Sequence, residues 1–528
     1  MNLKVLISVV AAAVVIAGAA LVASLAGFFS PAEDDALDLI PADSVIYVNI
    51  FLDPSPAQKL ALDDLLAHFP EASDRDAARD ALVELLDEGL AEVGLTFEDD
   101  IEPWLGDQVS FFMQVPANTT ADPAVGVLLE TEDTSAARRA VDKAQDNTDG
   151  SFSERSYRGI DYEVTDNGDA VGIIESFLVS ANEEGLKAVI DTIEGDALSS
   201  SDRFERATAG LEEDRLALGY FDFAPFARLA GGFGGFTGGP FDPATQGPAA
   251  FVLYARGNAV VAEGSSEVPR EGLGAELTEA VARESKLLER LPDDAWVAVG
   301  APQLGATLRH LVDSLEEAFA QAPGMFPGLG PGGLIEGFEA QLGIDLERDL
   351  FSWMGDAAFF ASGATLQTVQ GGAVLEATDP RAARQALTRI KSAIERAGGP
   401  VRGLGKWRSY DGFALRESGM PEPINFVAAA DRVLVIYGDA ATGRALGSDP
   451  SLAGNDTFEA ARAALGDDFA LNAFVDLQAI VSLADAAGLD DSEFGDEIDP
   501  WVEPLSFVSV GGRLEGETIV QRLVIGVR

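Results

Sequence analysis

The hydrophobic positions of this chain change period repeatedly, and the changes mark out its elements. Alternating or continuous β-branched and aromatic runs predict strands over 44–51, 108–115, 125–130, 170–175, 216–221 and 250–256. A second set follows over 295–300, 357–361, 372–375, 432–437, 471–475 and 505–510. Apolar residues three and four apart predict helices over 56–67, 74–90, 134–145, 183–193 and 203–210. Asp133 and Asp379 stand where an N-cap oxygen is needed, with Pro380 suited to a first helical position. Asn182 and Asp439 are read in the same way. Ser156-Tyr157-Arg158-Gly159 and Gly511-Gly512-Arg513 read as turns. Strands and helices do not alternate regularly, so the predicted class is α+β, a mostly antiparallel sheet with helices.

One stretch fits neither period. Every residue from Val5 to Phe29 is uncharged and mostly apolar, with Lys4 before it and Glu33, Asp34 and Asp35 after it. Such a run spans a hydrocarbon core of about 30 Å and exceeds a secretory apolar region of about 7–15 residues. Residues 1–30 are therefore expected to form a signal anchor or transmembrane helix, although Ser24-Leu25-Ala26 offers a cleavage point. The charge asymmetry places the N-terminus in the cytoplasm and the bulk of the chain outside it. The expected location is the cell membrane, single-pass, with the membrane contacted through residues 5–29.

The pattern also repeats. Leu39-Ile40-Pro41-Ala42-Asp43 is matched by Arg290-Leu291-Pro292-Asp293-Asp294, an offset of 292 − 41 = 251. Trp104-Leu105-Gly106-Asp107 is matched by Trp353-Met354-Gly355-Asp356, and each runs into an aromatic pair, Phe111-Phe112 or Phe359-Phe360. Asp133 pairs with Asp379, Ser156-Tyr157 with Ser409-Tyr410, and Phe204 to Asp222 with Phe458 to Asp476. The order is the same throughout. The chain reads as two tandem homologous α+β units, 31–268 and 287–528, joined by a linker helix over 269–286.

Charge narrows the function. With 36 Lys+Arg against 88 Asp+Glu the net charge is −52. Such a surface is repelled by phosphate backbones and anionic lipid, so nucleic acid is excluded as a partner. No cysteine means no disulfide, thiolate nucleophile or thiolate-bound metal, and two histidines leave little for histidine chemistry. The acidity also suits a saline habitat, since screening shortens to about 3 Å at 1 M salt.

The local motifs point to structure more than to chemistry. The two Trp-x-Gly-Asp copies read as folding corners, because a unique active site would not appear twice. Gly328-Leu329-Gly330-Pro331-Gly332-Gly333 satisfies a glycine count but follows no strand, and Pro331 interrupts it. His68 and His310 lie on helical stretches with no serine elbow to serve. The acidic run Asp490, Asp491, Glu493, Asp496, Glu497, Asp499 lacks calcium-loop spacing. The Gly/Phe stretch 231–240 and the Gly/Pro stretch 322–333 carry apolar residues among glycines and suit an adaptable lip over a ligand. No catalytic, cofactor-binding or metal-ligating residue is nominated, and no cofactor.

Ile40-Pro41-Ala42-Asp43, Tyr47 and Asp53-Pro54-Ser55-Pro56-Ala57-Gln58-Lys59, following an apolar N-terminal run, carry a family resemblance. The arrangement resembles a domain-of-unknown-function family of membrane-anchored extracytoplasmic proteins best known from actinobacteria. The resemblance implies location and architecture without chemistry. On the residues alone, Asp53 caps a helix begun by Pro54, and Lys59 pairs with Asp63. The expected function is a membrane-tethered extracytoplasmic binding or scaffold protein without catalytic activity, its partner an envelope protein. The alternatives are a carrier or sensor of an apolar ligand or lipid and, further off, a carboxylate- or metal-dependent envelope hydrolase.

Overall fold

The computed structural model describes residues 33–69, 75–115, 122–147, 151–222, 224–225, 247–267, 280, 282–321, 337, 339–340, 343–447, 450–488 and 500–528. The apolar run 5–29, most of the linker helix, the two glycine-rich stretches and the acidic run 490–499 lie outside these residues. The strands form a single antiparallel sheet of twenty with helices, where one sheet per half was expected. Alternation identifies strands but not which edges pair, so it could not decide the number of sheets. The transmembrane helix expected over residues 1–30 is not supported by the structure either, since it falls outside the described residues. Among the described residues no helix is long and apolar enough to cross a membrane.

Two compact units share the described residues, the first ending at Glu267 and the second at Arg528. The first contains β1 (Ser44–Phe51), β2 (Leu105–Gln114), β3 (Ala124–Thr131), β4 (Phe152–Tyr157) and β5 (Ile160–Thr165). It continues with β6 (Asp169–Ile174), β7 (Phe177–Asn182), β8 (Ala217–Phe221), β9 (Ala249–Ala255) and β10 (Ala259–Glu267). Pairing runs in the order 4-5-6-7-3-2-1-8-9-10, antiparallel throughout. Helices Thr134–Asp146 and Glu183–Thr192 pack against the sheet, with caps from Asp133 and Asn182.

The second unit contains β11 (Ala295–Ala301), β12 (Met354–Ser362), β13 (Gln370–Ala377), β14 (Val401–Arg402) and β15 (Asp411–Leu415). It continues with β16 (Ile424–Ala428), β17 (Arg432–Tyr437), β18 (Ala470–Asp476), β19 (Leu505–Glu515) and β20 (Thr518–Val527). Its order, 14-15-16-17-13-12-11-18-19-20, repeats the first strand for strand. Helix Pro380–Arg396 carries the same cap from Asp379, and Asp439–Leu446 follows β17.

Each tryptophan corner is built the same way. Trp104 Nε1 donates to the Asp100 carbonyl at 2.5 Å, and Trp353 Nε1 to that of Asp349 at 2.9 Å. Lys143 pairs with Asp100 and Arg389 with Asp349, a match the sequence comparison had missed. At Gly106 a Cβ would crowd Glu130 Cγ at 2.8 Å and Cβ at 3.0 Å, whereas at Gly355 it would displace chiefly the movable Glu376 carboxylate, 2.5 Å away.

Four local readings change. Ser55, not Asp53, caps the helix Pro56–Leu66 by accepting from Gln58 N at 3.2 Å, and Asp53 is instead an ion-pair partner of Lys59. Gly438 holds the cap position before Asp439, which is the first helical residue. Gly511-Gly512-Arg513 continues inside β19 instead of turning. Gly159, with φ 84°, sits in the β4–β5 turn, whereas Gly412 pairs with Val427 inside β15, so these two glycines are not equivalent.

Candidate functional site

The repeated ladder lets each position of one unit be compared with its counterpart. In the first unit β4 to β7 rise beside the helix Thr134–Asp146 and leave a groove of about 570 Å³. Register decides what faces it. Glu154 lies opposite Glu163, Ser156 opposite Asp161, Glu163 opposite Val171 and Ile173 opposite Leu178. Residues directly opposite share a face, so this row forms one wall. The helix supplies Arg138, Val141 and Asp142 from the other side. The floor is therefore aliphatic and the rim carries four carboxylates against Arg138, with Arg155 also bordering the groove. Like charges directly opposite on a sheet repel, so Glu154 and Glu163 sit together at a cost. Gln145 Nε2 donates to Glu163 Oε2 and closes one end.

The other face of the same hairpin is a fixed ionic cluster. Tyr162 OH donates to Glu183 Oε1 at 3.0 Å, Arg155 Nη1 donates to Glu183 Oε2 at 2.6 Å, and Lys187 Nζ lies 3.0 Å from Oε1. The Lys187 hydrogen bond, joined by those from Arg155 and Tyr162, outweighs desolvation and holds Glu183 down to about 2. Burial, with the Glu183 hydrogen bond, pushes the Tyr162 hydroxyl up. This cluster stiffens the strands that frame the groove.

In the second unit the matching position is packed. At the position of the Glu163–Val171 pair stands Phe413 opposite Phe426, their rings stacked 4.5 Å apart at 8°. Phe413 is buried, and the pair packs with Leu387 of the helix Pro380–Arg396 in one apolar cluster. One copy is filled where the other is hollow.

The residues behind the family resemblance fall into place as supports. Tyr47 OH donates to the half-buried Asp34 at 2.5 Å, and Asn49 Nδ2 donates to Gln108 Oε1 at 3.2 Å. Burial pushes the Asp34 carboxyl up, against the hydrogen bond from Tyr47. Gln58, itself buried, donates to the Asp214 carbonyl at 3.0 Å and accepts from Ala255 N at 2.8 Å. His68 Nδ1 sits 2.7 Å from the Asp64 carbonyl, which can only accept, so the ring proton is committed there. Residues 5–489 match the family described as "Protein of unknown function (DUF3352)".

The chain belongs to DUF3352.

Membership in DUF3352 agrees with the resemblance at the level of a family of unknown function. No curated protein sequence matches the chain. Among solved structures, crystal form III of TP0453 is similar at 12% identity and a TM-score of 0.25, covering 47% of this chain and 86% of that one. Crystal form IV aligns at 12% identity and 0.24, covering 46% and 81%. At such scores the likeness carries no argument about fold or function. The groove itself was not nominated from sequence. Its one visible signal was the unequal chemistry of matched strands, Glu163 and Val171 against two phenylalanines.

Proposed function

We propose that this DUF3352 protein is a non-catalytic binding protein acting outside the cytoplasm, and that its first unit carries the binding surface. A single observation supports the reading: the helix–sheet groove is open in the first unit, while the same place in the second is packed by the Phe413–Phe426 stack. Repeated units need the same corners to fold, so a difference confined to one copy marks where function has been added. The aliphatic floor of Val141, Val171, Ile173 and Leu178 under Asp142, Glu154, Asp161 and Glu163 suits a partner segment that alternates apolar and basic residues. β4 adds to this. It pairs only with β5 among the described residues, so its outer edge can accept an extended strand. A carrier of lipid would bury its cargo in an enclosed apolar cavity, and this charged, open lining favours a peptide segment instead. The extracytoplasmic placement rests on the sequence around residues 5–29 alone.

The test rebuilds the second unit's packing in the first. The double variant Glu163→Phe with Val171→Phe should close the groove. Binding of a labelled peptide of alternating Lys and Val, followed by fluorescence anisotropy, should be lost. Filling a void of this kind should also raise stability by about 1 kcal/mol. Unchanged peptide binding in a folded double variant would remove the groove from consideration.

A further inference from the structure

On the opposite side of the first unit's sheet, the Pro41-Ala42-Asp43 segment borders a second hollow of about 1000 Å³. Helix Glu183–Thr192 forms its wall with Glu184, Lys187, Ala188 and Asp191, and the Lys187 ammonium is paired with Glu183 at 3.0 Å. Asp43 accepts a hydrogen bond from Gln114 Nε2 at its mouth. The second unit has a counterpart for each of these groups. Asp294 stands at the place of Asp43, since 43 + 251 = 294. Ser362 stands at the place of Gln114, because Gln114 pairs with Ser44 and Ser362 with Ala295 at the start of the matching strand. Counted from the helix caps Asn182 and Gly438, the place of Ala188 is taken by Arg444.

Arg444 is what fills the second copy. Its Nε lies 3.0 Å from Asp294 Oδ1, and its Nη2 donates to Ser362 Oγ at 3.0 Å. The first unit keeps the carboxylate and the polar partner but replaces the arginine with a methyl group. We propose that the first-unit hollow is a guanidinium-binding site, an arginine pocket whose arginine comes from outside the unit. The second unit shows the geometry in which such a cation is held. Asp122, Glu184 and Asp196 add negative charge around the hollow, and Tyr157 OH donates to Asp191 at 3.1 Å to fix the far wall. The cation is either a small guanidinium compound or the arginine of a partner chain. Both present the same planar fork, which a carboxylate recognises better than it does an ammonium.

The experiment uses the full chain at about 0.15 M salt, where diffuse attraction to a polyanion is screened beyond about 8 Å. Agmatine and an end-blocked Gly-Arg-Gly peptide are titrated by calorimetry against the wild type, Ala188→Arg and Asp43→Asn. Ala188→Arg supplies the missing side chain in cis and should abolish binding of both probes. Asp43→Asn, which leaves the fold's packing alone, should weaken binding about fivefold. Tighter binding of the peptide assigns the arginine to a partner chain; tighter binding of agmatine assigns it to a small molecule. No saturable binding to the wild type overturns the proposal. So does binding that neither variant alters, which is the behaviour of general acidity. The groove variant Glu163→Phe with Val171→Phe should bind both probes as the wild type does, which separates the two sites.

Discussion

The two units run through the same ladder, yet their interiors solve the space around it differently. In the first, polar side chains are carried inward: Tyr47 with Asp34, and Ser110 Oγ donating to Asn49 at 2.8 Å. In the second, Ala298 and Gly300 stand where Tyr47 and Asn49 do, and Ser285 Oγ donates to the Ala357 carbonyl at 2.8 Å to hold the entering segment. The corner aspartates diverge likewise. Asp107 is exposed, whereas Asp356 is buried and accepts from Arg283, Lys286 N and Gln303 N. The indole hydrogen bonds of the tryptophan corners, by contrast, agree in both copies. What folds the unit is kept in both copies, and what fills it is free to change.

That division can be broken most forcefully at the corners. Trp104→Ala and Trp353→Ala should each cost about 3–5 kcal/mol, since each indole is almost wholly buried. Urea unfolding of both variants measures this, and a tolerant member of the pair would end the equivalence. The ion pair behind each indole gives a smaller, graded effect. Asp349 is 3% exposed at its side chain and Asp100 is 11%. Arg389→Met leaves Asp349 with Arg348 alone and should cost about 2 kcal/mol, against about 1 kcal/mol for Lys143→Met. Equal costs would mean that the deeper burial of the second corner carries no energetic weight. The smallest effect is a pH dependence peculiar to the first unit. Glu183 has a folded value of about 2, below its ordinary 4.5, so its contribution is complete above that value and fades as pH falls towards 2. Stability measured from pH 2 to 5 should fall less steeply with acid in Glu183→Gln than in the wild type. Parallel slopes would show that the cluster adds nothing to folding.

Strands with one buried, β-branched face were legible almost to the residue, as for Ser44–Phe51 and Arg432–Tyr437. The β4 strand was not. Phe-Ser-Glu-Arg-Ser-Tyr is exposed over its four central residues and offers no alternation of apolar and polar side chains to read. Gly511 was read as part of a turn, but it lies in β19, where a Cβ would meet the Ala470 carbonyl oxygen and Leu465 Cδ2, both at 2.6 Å. There the glycine answers a close approach and not a bend. The tryptophan corners were legible because their residues are contiguous. The groove and the arginine hollow were not, because each is defined by side chains missing from positions that only the ladder's register makes equivalent. Glu163 and Phe413 do not align by any short motif, and neither do Ala188 and Arg444.

The Tyr47–Asp34 bond also has a mechanical meaning. Asp34 lies five residues beyond Phe29, which at full extension is no more than about 18 Å of chain. A pull applied to the chain ahead of Asp34 is therefore delivered straight into the middle of the first unit, at Tyr47 on β1 and at the Pro41–Ala197 bridge. The first unit would take the load in shear across β1 and its neighbours β2 and β8. The Tyr47–Asp34 bond thus makes β1 the strand at which such a load enters the first unit.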